Sequence, residues 1–308
     1  MGNERRRFEA ERIIRRELLP AWGNRPITDI TPTDIALLLK PMKARGKRFM
    51  AVAVLASIKR LFGWAISQHC YGIDVSPADR LKPKSIVGDL QPRQRILSDQ
   101  ELIAFWRAAR RMRYPHGPLL QLLLLTGCRH QELAGGKWTE IDLANKVWSI
   151  PPERFKSNAT HTVPLVGAAV EILEGLPRFR QTSVIFTASA GKTISHVRDR
   201  DKARLDRRML RTLKAMARMR GEDPNAVELK SWVVHDLRRV VRTHLAALRI
   251  PDHIAEMVLG HGKRGLQRVY DQHSYAAEIR EALTLWAGRL RSIVERAPRN
   301  VVSLKRPA

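Results

Sequence analysis

Four short segments combine side chains that could bind an oxyanion, move a proton or act as a nucleophile. Arginine offers paired N–H donors that fit the edge of a phosphate, and histidine and lysine exchange protons. A tyrosine hydroxyl can attack an electrophilic centre. In chain order the segments are TGCRHQEL (126–133), FKSN (155–158), HDLRR (235–239) and LGH (259–261), the last followed nine residues later by Tyr270.

Taken alone, each segment also has an ordinary structural explanation. Arg129 and Glu132 stand three residues apart, where they could form an ion pair on a helix surface. Lys156 could be a solvated turn residue, and Tyr270 could be a core tyrosine whose hydroxyl is hydrogen-bonded. A histidine–arginine pair such as that in HDLR is also more often structural, so no single segment is specific.

Together and in this order, the segments resemble the tyrosine recombinase (phage integrase) family. Its signature is an arginine in T-G-x-R-x-x-E-L, a lysine in a β-hairpin, an H-x-L-R segment, and L-G-H followed about nine residues later by a tyrosine. The stretch WSIPPERFKSNATHTVPL (148–165) is also similar to the family's hairpin. The resemblance covers about residues 95–295, and the helical N-terminal third resembles the family's core-binding domain.

The resemblance implies a phosphoryl transfer on DNA. A tyrosine hydroxyl attacks a phosphodiester, forms a 3′-phosphotyrosine and releases a 5′-hydroxyl, which later attacks in reverse. Arg129 and Arg238 would clamp the nonbridging oxygens, where negative charge accumulates. Glu132 would orient Arg129, and Lys156 would protonate the departing 5′ oxygen.

The resemblance assigns the remaining roles as well. Tyr270 would be the nucleophile, His235 its acid–base partner, and His261 a hydrogen-bond donor to the phosphate. Because the covalent intermediate keeps the energy of the broken bond, neither metal nor ATP nor another cofactor is expected. The sequence holds no acidic cluster that would suggest two-metal catalysis.

The spacing of the last segment makes a further prediction. Nine residues on a continuous helix would put His261 and Tyr270 about half a turn apart. We therefore expect Gly262 and Gly265 to interrupt the helix between them. Tyr275 lies fourteen residues after His261, outside the family spacing.

The elements that must position these residues are mainly helical. Apolar residues recur at three- and four-residue steps in the N-terminal third, where helices are predicted over residues 8–19, 31–40 and 48–68. Residues 138–165 change to a two-residue period, which predicts three short strands. Helix returns from there to about Val294. We expect a mainly α protein with a small antiparallel β-sheet (α+β).

These patterns suggest domain boundaries, and the family resemblance implies what each domain is. Residues 1–85 would form a helical core-binding domain, 86–95 a linker, 96–297 the catalytic domain and 298–308 a loose tail. No segment then remains for an N-terminal domain that binds arm-type DNA sites, which suggests a minimal recombinase or a truncated gene. The apolar face of the last helix could pack on its own core or, as the resemblance suggests, on a neighbouring protomer.

The net charge points to a polyanionic partner. The 308 residues carry 56 lysines and arginines against 30 acidic residues, a formal net charge of +26. Nucleic acid explains this best, because neutralising phosphates releases counterions; solubility alone is the alternative. No uninterrupted apolar run approaches the ~20 residues that span a bilayer. The loop residues proposed to contact DNA, for which solvated charge is an equally good explanation, are Lys43, Arg45, Lys47 and Arg48.

Together these observations predict a site-specific recombinase or integrase of a prophage or similar mobile element. It would act in the cytoplasm on double-stranded DNA at an inverted-repeat core site, as a homotetramer, with DNA-bending accessory proteins as further partners. Two alternatives remain open: a recombinase that resolves chromosome dimers, and a catalytically silent DNA-binding remnant of an integrase.

Overall fold

A computed structural model describes residues 2–91, 94–155, 159–189, 191, 193–261 and 273–295, with the backbone alone for 2–6. The chain divides into two compact units, Met1–Gln94 and Arg95–Ala308. Residues 86–91, predicted as linker, belong to the first unit, where the side chain of Val87 is buried.

The first unit is entirely helical in its described part. Its α-helices are α1 (Gly2–Ile13), α2 (Leu19–Trp22), α3 (Pro32–Ala44), α4 (Arg48–Ser67) and α5 (Pro83–Val87). Their apolar faces meet in one core that includes Ile35, Leu39, Leu55, Ile58 and Phe62.

Two predicted boundaries in this unit are wrong, and proline chemistry explains both. Pro20 was expected to end a helix, but it lies in the first turn of α2, where its missing N–H is not needed. A π-helical segment, Ile14–Leu18, joins α1 to α2. Helix α3 was predicted to end at about residue 40 but continues to Ala44 with Pro41 inside it. The φ of proline is compatible with a helix, although Pro41 lacks the N–H of an internal hydrogen bond.

Helix α4 is the one helix in the described ranges that is long and apolar enough to cross a membrane. The sequence analysis found no such segment because it counted uninterrupted apolar runs, and Lys59 and Arg60 interrupt this one. Core helices of soluble proteins pass the same test, and the inner face of α4 packs in the first unit's core.

The second unit is a helical body with one small sheet. Its helices are α6 (Asp99–Arg110), α7 (His116–Thr126), α8 (His130–Ala134), α9 (Gly167–Glu174), α10 (Asp199–Met219), α11 (Asp236–Ala247), α12 (Asp252–Val258) and α13 (Ala276–Val294). Strands β1 (Ile141–Asp142), β2 (Val147–Ile150) and β3 (His161–Pro164) form an antiparallel sheet in that order, with Trp148 opposite Val163. The predicted mainly helical α+β fold is confirmed.

The apolar face of α13 packs on its own unit. Ile279, Leu283, Trp286 and Leu290 are buried in the core, and the Trp286 indole N–H donates to the carbonyl oxygen of Leu124 at 2.8 Å. Of the two alternatives left open for this face, packing on its own core is the one that the structure shows.

The segments before and after α10 are not helical, contrary to the continuous helical pattern that was predicted. In the first of them, isolated bridges pair Lys137 with Val184 and Thr187 with Ile194. The Tyr114 hydroxyl holds this segment by donating to the Ile185 carbonyl at 2.7 Å and accepting from the Thr187 N–H at 3.1 Å.

Candidate active site

The candidate site begins where α7 ends. Gly127 closes this helix with φ +66°, in the left-handed region that favours glycine. A Cβ at this position would meet the Leu259 side chain at 3.0 Å and the Val241 side chain at 3.1 Å. The end of α7 can therefore approach α11 and the end of α12 closely only because residue 127 is glycine.

Arg129 lies two residues further, at the N-cap of α8. Its guanidinium donates to Glu132 Oε1 at 2.7 Å, and its backbone N–H donates to Glu132 Oε2 at 2.8 Å. Glu132 is buried, whereas Arg129 is partly exposed. One carboxylate thus accepts from a backbone N–H at the start of α8 and also holds the Arg129 guanidinium in place. The other N–H groups of that guanidinium can bind an anion.

Arg238 is the buried centre of the site. It lies in the first turn of α11 and is 6% exposed. Nη1 donates to the Gly127 carbonyl at 2.8 Å, and Nη2 donates to the Leu259 carbonyl and lies 3.0 Å from His261 Nε2. Burial, with a further contribution from the charge of Arg129, lowers the pKa of Arg238 to about 10. The guanidinium therefore remains a cation at neutral pH.

His261 connects Arg238 to a carboxylate on α12. Its Nδ1 is hydrogen-bonded to Glu256 Oε2, and its backbone N–H donates to the Glu256 carbonyl at 2.8 Å. Glu256 Oε1 accepts from Arg242 Nε at 2.9 Å. Burial acts to raise the pKa of Glu256, but the hydrogen bonds from His261 and Arg242 outweigh it and keep that pKa below its usual value.

His235 completes the described cluster from the N-cap of α11. Its ring is exposed and forms no hydrogen bond with a described residue. Partial burial, together with the charges of Arg238, Arg239 and Arg129, lowers the pKa of His235. A neutral imidazole is therefore favoured, and a neutral imidazole can accept a proton.

Two aromatic rings support the cluster from the hairpin. Phe155 stacks on His161, with ring centroids 4.7 Å apart, and the Arg129 guanidinium carbon lies 5.6 Å from the Phe155 centroid. Both rings face Gly260, where a Cβ would come within 2.6 Å of Phe155. Burial, and then the charges of Arg238 and Arg129, lower the pKa of His161 to about 4.

The structure brings Arg129, Arg238, His235 and His261 into one cluster. Lys156 and Tyr270 lie outside the described residues, as do Gly262 and Gly265. The competing tyrosine, Tyr275, packs its ring against His253 and His273 at the start of α13. Within the described ranges, no group of three or more histidine, cysteine or acidic residues could hold a metal ion.

Two sequence models of protein families match this chain. Residues 95–277 match the sequence model of the phage integrase family, and residues 2–83 match that of the phage integrase central domain. The chain belongs to the phage integrase family.

Among curated relatives of this integrase-family chain is the prophage integrase IntA of Escherichia coli (strain K12). The two are 26% identical over 291 residues, which is 90% of this chain and 63% of IntA. The integrase of Shigella phage Sf6 is 22% identical over 284 residues, 91% of this chain and 68% of that protein. The chain thus spans about two thirds of the length of these relatives.

Solved integrase structures share the fold. A lambda integrase tetramer bound to a Holliday junction aligns over 83% of this chain and 71% of its own, with a TM-score of 0.60 and 19% identity. The Tn1549 transposon integrase in complex with transposon right end DNA aligns over 91% of this chain and 93% of its own, with a TM-score of 0.61 and 16% identity.

The loop residues predicted to contact DNA differ in their availability. Lys43 is exposed in the last turn of α3, and Arg45 and Lys47 are exposed between α3 and α4. Arg48 instead donates to the carbonyl oxygens of Val87 and Asp89. Most of its hydrogen-bonding capacity is used within the first unit.

The sequence analysis missed a basic face on α10. Six cations recur at alternating four- and three-residue steps on the side opposite the core, and none of them has an acidic partner among the described residues. They are Arg200, Arg204, Arg207, Arg211, Lys214 and Arg218. At 1.5 Å per residue this stripe is about 27 Å long. A helical period of basic residues in DRDKARLDRRMLRTLKAMAR was the signal that could have revealed it.

Proposed function

We propose that this chain is a site-specific DNA recombinase of a prophage or similar mobile element, which cuts and rejoins DNA through a 3′-phosphotyrosine. The observation that carries the proposal is the convergence of Arg129 and Arg238 with two histidines. Both arginines keep N–H donors beyond those their internal contacts use, and an oxyanion is the ligand that such an arrangement fits.

The scissile phosphate would bind between the two guanidinium groups. Arg238 would offer it donors from a buried, fixed position, and Arg129 would offer donors steadied by Glu132. As phosphorus gains its fifth ligand, charge on the nonbridging oxygens is stabilised by groups that need no reorganisation. Removing one such donor in other enzymes costs about 10²–10³ in rate.

The bond-making steps involve two residues outside the described ranges and rest on the family motifs. The Tyr270 oxygen attacks phosphorus and its proton passes to His235. The bond from phosphorus to the 5′ oxygen breaks, and Lys156 protonates that oxygen. In the reverse direction a 5′-hydroxyl attacks the phosphotyrosine, and Tyr270 recovers its proton. The number of phosphodiester bonds is conserved, so we propose that no metal, ATP or other cofactor takes part.

The partners follow from the same proposal. Double-stranded DNA with an inverted-repeat core site is the substrate, and a homotetramer carries out the exchange, with DNA-bending accessory proteins assisting in the cytoplasm. The lambda integrase tetramer on a Holliday junction supports the tetramer by analogy of fold. Residues 1–85 would serve as the core-binding domain and 96–297 as the catalytic domain.

Two basic surfaces would hold the DNA backbone. In the first unit these are Lys43, Arg45 and Lys47. In the second unit they are the unpaired cations of the α10 stripe. A row of like charges on one helix face is destabilising by itself. A polyphosphate along the face would reverse that cost and add salt-dependent affinity.

The decisive test is covalent capture of DNA. The protein is incubated with its gene's flanking DNA in EDTA and without ATP, and then denatured in SDS. We expect a protein–DNA adduct that disappears in Tyr270→Phe, while DNA binding changes little. Salt-sensitive binding without any adduct, on substrates covering both flanks, would favour a silent DNA-binding remnant instead.

A further inference from the structure

His261 lies between a cation and a carboxylate, and the two contacts fix where its proton resides. Its Nε2 is 3.0 Å from Arg238 Nη2, and its Nδ1 is hydrogen-bonded to Glu256. A guanidinium can only donate, so Nε2 must accept. The proton of a neutral imidazole then resides on Nδ1 and is donated to Glu256.

In this tautomer, Nε2 cannot donate a hydrogen bond to a phosphate. An Nε2 that accepts from Arg238 presents a lone pair, whereas a phosphate oxygen needs a donor. For His261 to bind the scissile phosphate, Nε2 must gain a proton while Nδ1 keeps its own. The result is an imidazolium, and the Arg238 N–H that pointed at His261 is released towards the same phosphate.

The surroundings of His261 would oppose that second proton if they were only cationic. Arg238 contacts it from α11, and Arg242 on the same helix contacts its partner Glu256. Arg129, at the start of α8, acts electrostatically on Arg238. From the hairpin, the neutral ring of His161 lies beyond Gly260. Among the described groups around His261, Glu256 is the one that supplies negative charge in direct contact.

We propose that Glu256 is a positioning residue that switches His261 from accepting a hydrogen bond to donating one when DNA arrives. In the free protein its carboxylate holds the Nδ1 proton and so aims Nε2 at Arg238. With phosphate bound, the same carboxylate balances the imidazolium charge. This inference rests on the proposed recombinase function for its second half, and its first half concerns the protein alone.

The carboxylate is itself held in place. Arg242 donates to Glu256 at 2.9 Å through Nε and to Asp252 at 2.8 Å through Nη2. The turn that carries His261 does not depend on the Glu256 side chain, because the His261 backbone N–H donates to the backbone carbonyl of Glu256. Replacing the side chain therefore tests its charge and hydrogen bond without removing the turn.

The first experiment needs no DNA. Protein labelled with ¹⁵N-histidine is examined by NMR, with His261→Asn to assign the ring signals. We expect the wild type to show the Nδ1–H form of His261. Glu256→Ala removes the acceptor of the Nδ1 proton and leaves the Arg238 contact alone, so the share of the Nε2–H form should rise. An unchanged tautomer in Glu256→Ala would overturn the proposal, whether or not the chain is a recombinase.

The second experiment measures single-turnover formation of the covalent adduct from pH 5.5 to 9. Glu256→Gln keeps the shape and removes the charge that would balance the imidazolium, so its rate should fall at a lower pH than that of the wild type and approach the wild-type rate at low pH. Glu256→Asp, which keeps the charge on a shorter side chain, should have a pH profile between those of Glu256→Gln and the wild type. In a His261→Asn background the Gln substitution should have no further effect.

A surface carboxylate provides the matched control. Glu222 pairs with Arg220 on an exposed loop, so Glu222→Gln should leave the pH profile unchanged. If the wild type forms the adduct and the pH profile of Glu256→Gln superimposes on that of the wild type, the switch is overturned while the recombinase function remains supported. Absence of any wild-type adduct would count against the proposed function, and the tautomer measurement would then decide the switch.

Discussion

The guanidinium of Arg238 donates a hydrogen bond to the carbonyl oxygen of Gly127, 111 residues earlier in the chain, at 2.8 Å. The same side chain donates to the carbonyl oxygen of Leu259. One buried cation therefore joins the end of α7 to the end of α12 and also faces the position proposed for the scissile phosphate. Fold and site are coupled at this residue.

Gly127→Ala should destabilise the second unit by about 2–3 kcal/mol, since a left-handed conformation costs a side chain about 1–2 kcal/mol and the new methyl group also crowds Leu259 and Val241. Urea unfolding measures the loss. Gly221→Ala is the control, because φ there is +76° but nothing lies within 4 Å of its Cβ. Equal losses at the two positions would show that packing at Gly127 contributes nothing.

Arg238→Lys should reduce the rate of adduct formation by about 10²–10³ while it leaves DNA affinity within a few-fold of the wild type. A lysine keeps the charge but cannot reach Gly127, Leu259 and a phosphate with fixed, planar donors. Single-turnover cleavage and equilibrium binding are measured side by side. A rate within tenfold of the wild type would mean that charge alone suffices at this position.

The stability of the second unit should fall as the pH decreases from about 7 to 5. His130 and His161 both have a pKa of about 4 in the folded protein, lowered first by burial. Their ordinary pKa is 6.5, so the unfolded chain binds more protons below that value. Each residue should contribute a slope of up to about 1.4 kcal/mol per pH unit.

Substituting His161 isolates its share of this pH dependence. His161→Phe keeps a ring stacked on Phe155 and removes the titrating group, so urea unfolding at successive pH values should show a shallower slope. His261→Asn, which changes a half-exposed ring, serves as a comparison. A slope that is unaltered in His161→Phe would mean that His161 does not titrate in this way.

The α10 stripe should make a measurable electrostatic contribution to DNA binding. Reversing Arg204, Arg207 and Arg211 to glutamate should weaken binding and lower the slope of log affinity against log salt by about 2.7, since each phosphate contact contributes about 0.9. Changing the same three residues to lysine keeps the charge and should keep the slope. A reversed variant with the wild-type slope would show that this face does not contact DNA.

Local features of the fold could be predicted from the sequence because their determinants are adjacent in it. Thr31 and Asp34 form a capping box at the start of α3, and Ser98 and Glu101 form another at the start of α6. The hairpin strands appear where the apolar period changes from about 3.6 residues to two. The site residues were identified by motif, and the structure brings four of the six together.

The features that were missed depend on tertiary contacts. Glu256 lies within reach of His261 because α12 ends in a tight turn, and Arg242 reaches Glu256 from another helix. Nothing in the spacing of the sequence marks this carboxylate as different from any other surface residue. The burial of the α13 face on its own core was also undetermined, because the same apolar stripe would suit a partner equally well.

The double role of Arg238 has a genetic consequence. A copy of such a gene that is no longer selected for recombination would accumulate substitutions at the codons of its catalytic residues. The exposed His235 can change with little effect on the fold, but replacing Arg238 by an apolar residue would leave the carbonyls of Gly127 and Leu259 without their donor. In a decaying element, loss at this codon should therefore remove the protein from the cell, whereas loss at the exposed His235 should leave a stable and inert competitor for the same DNA.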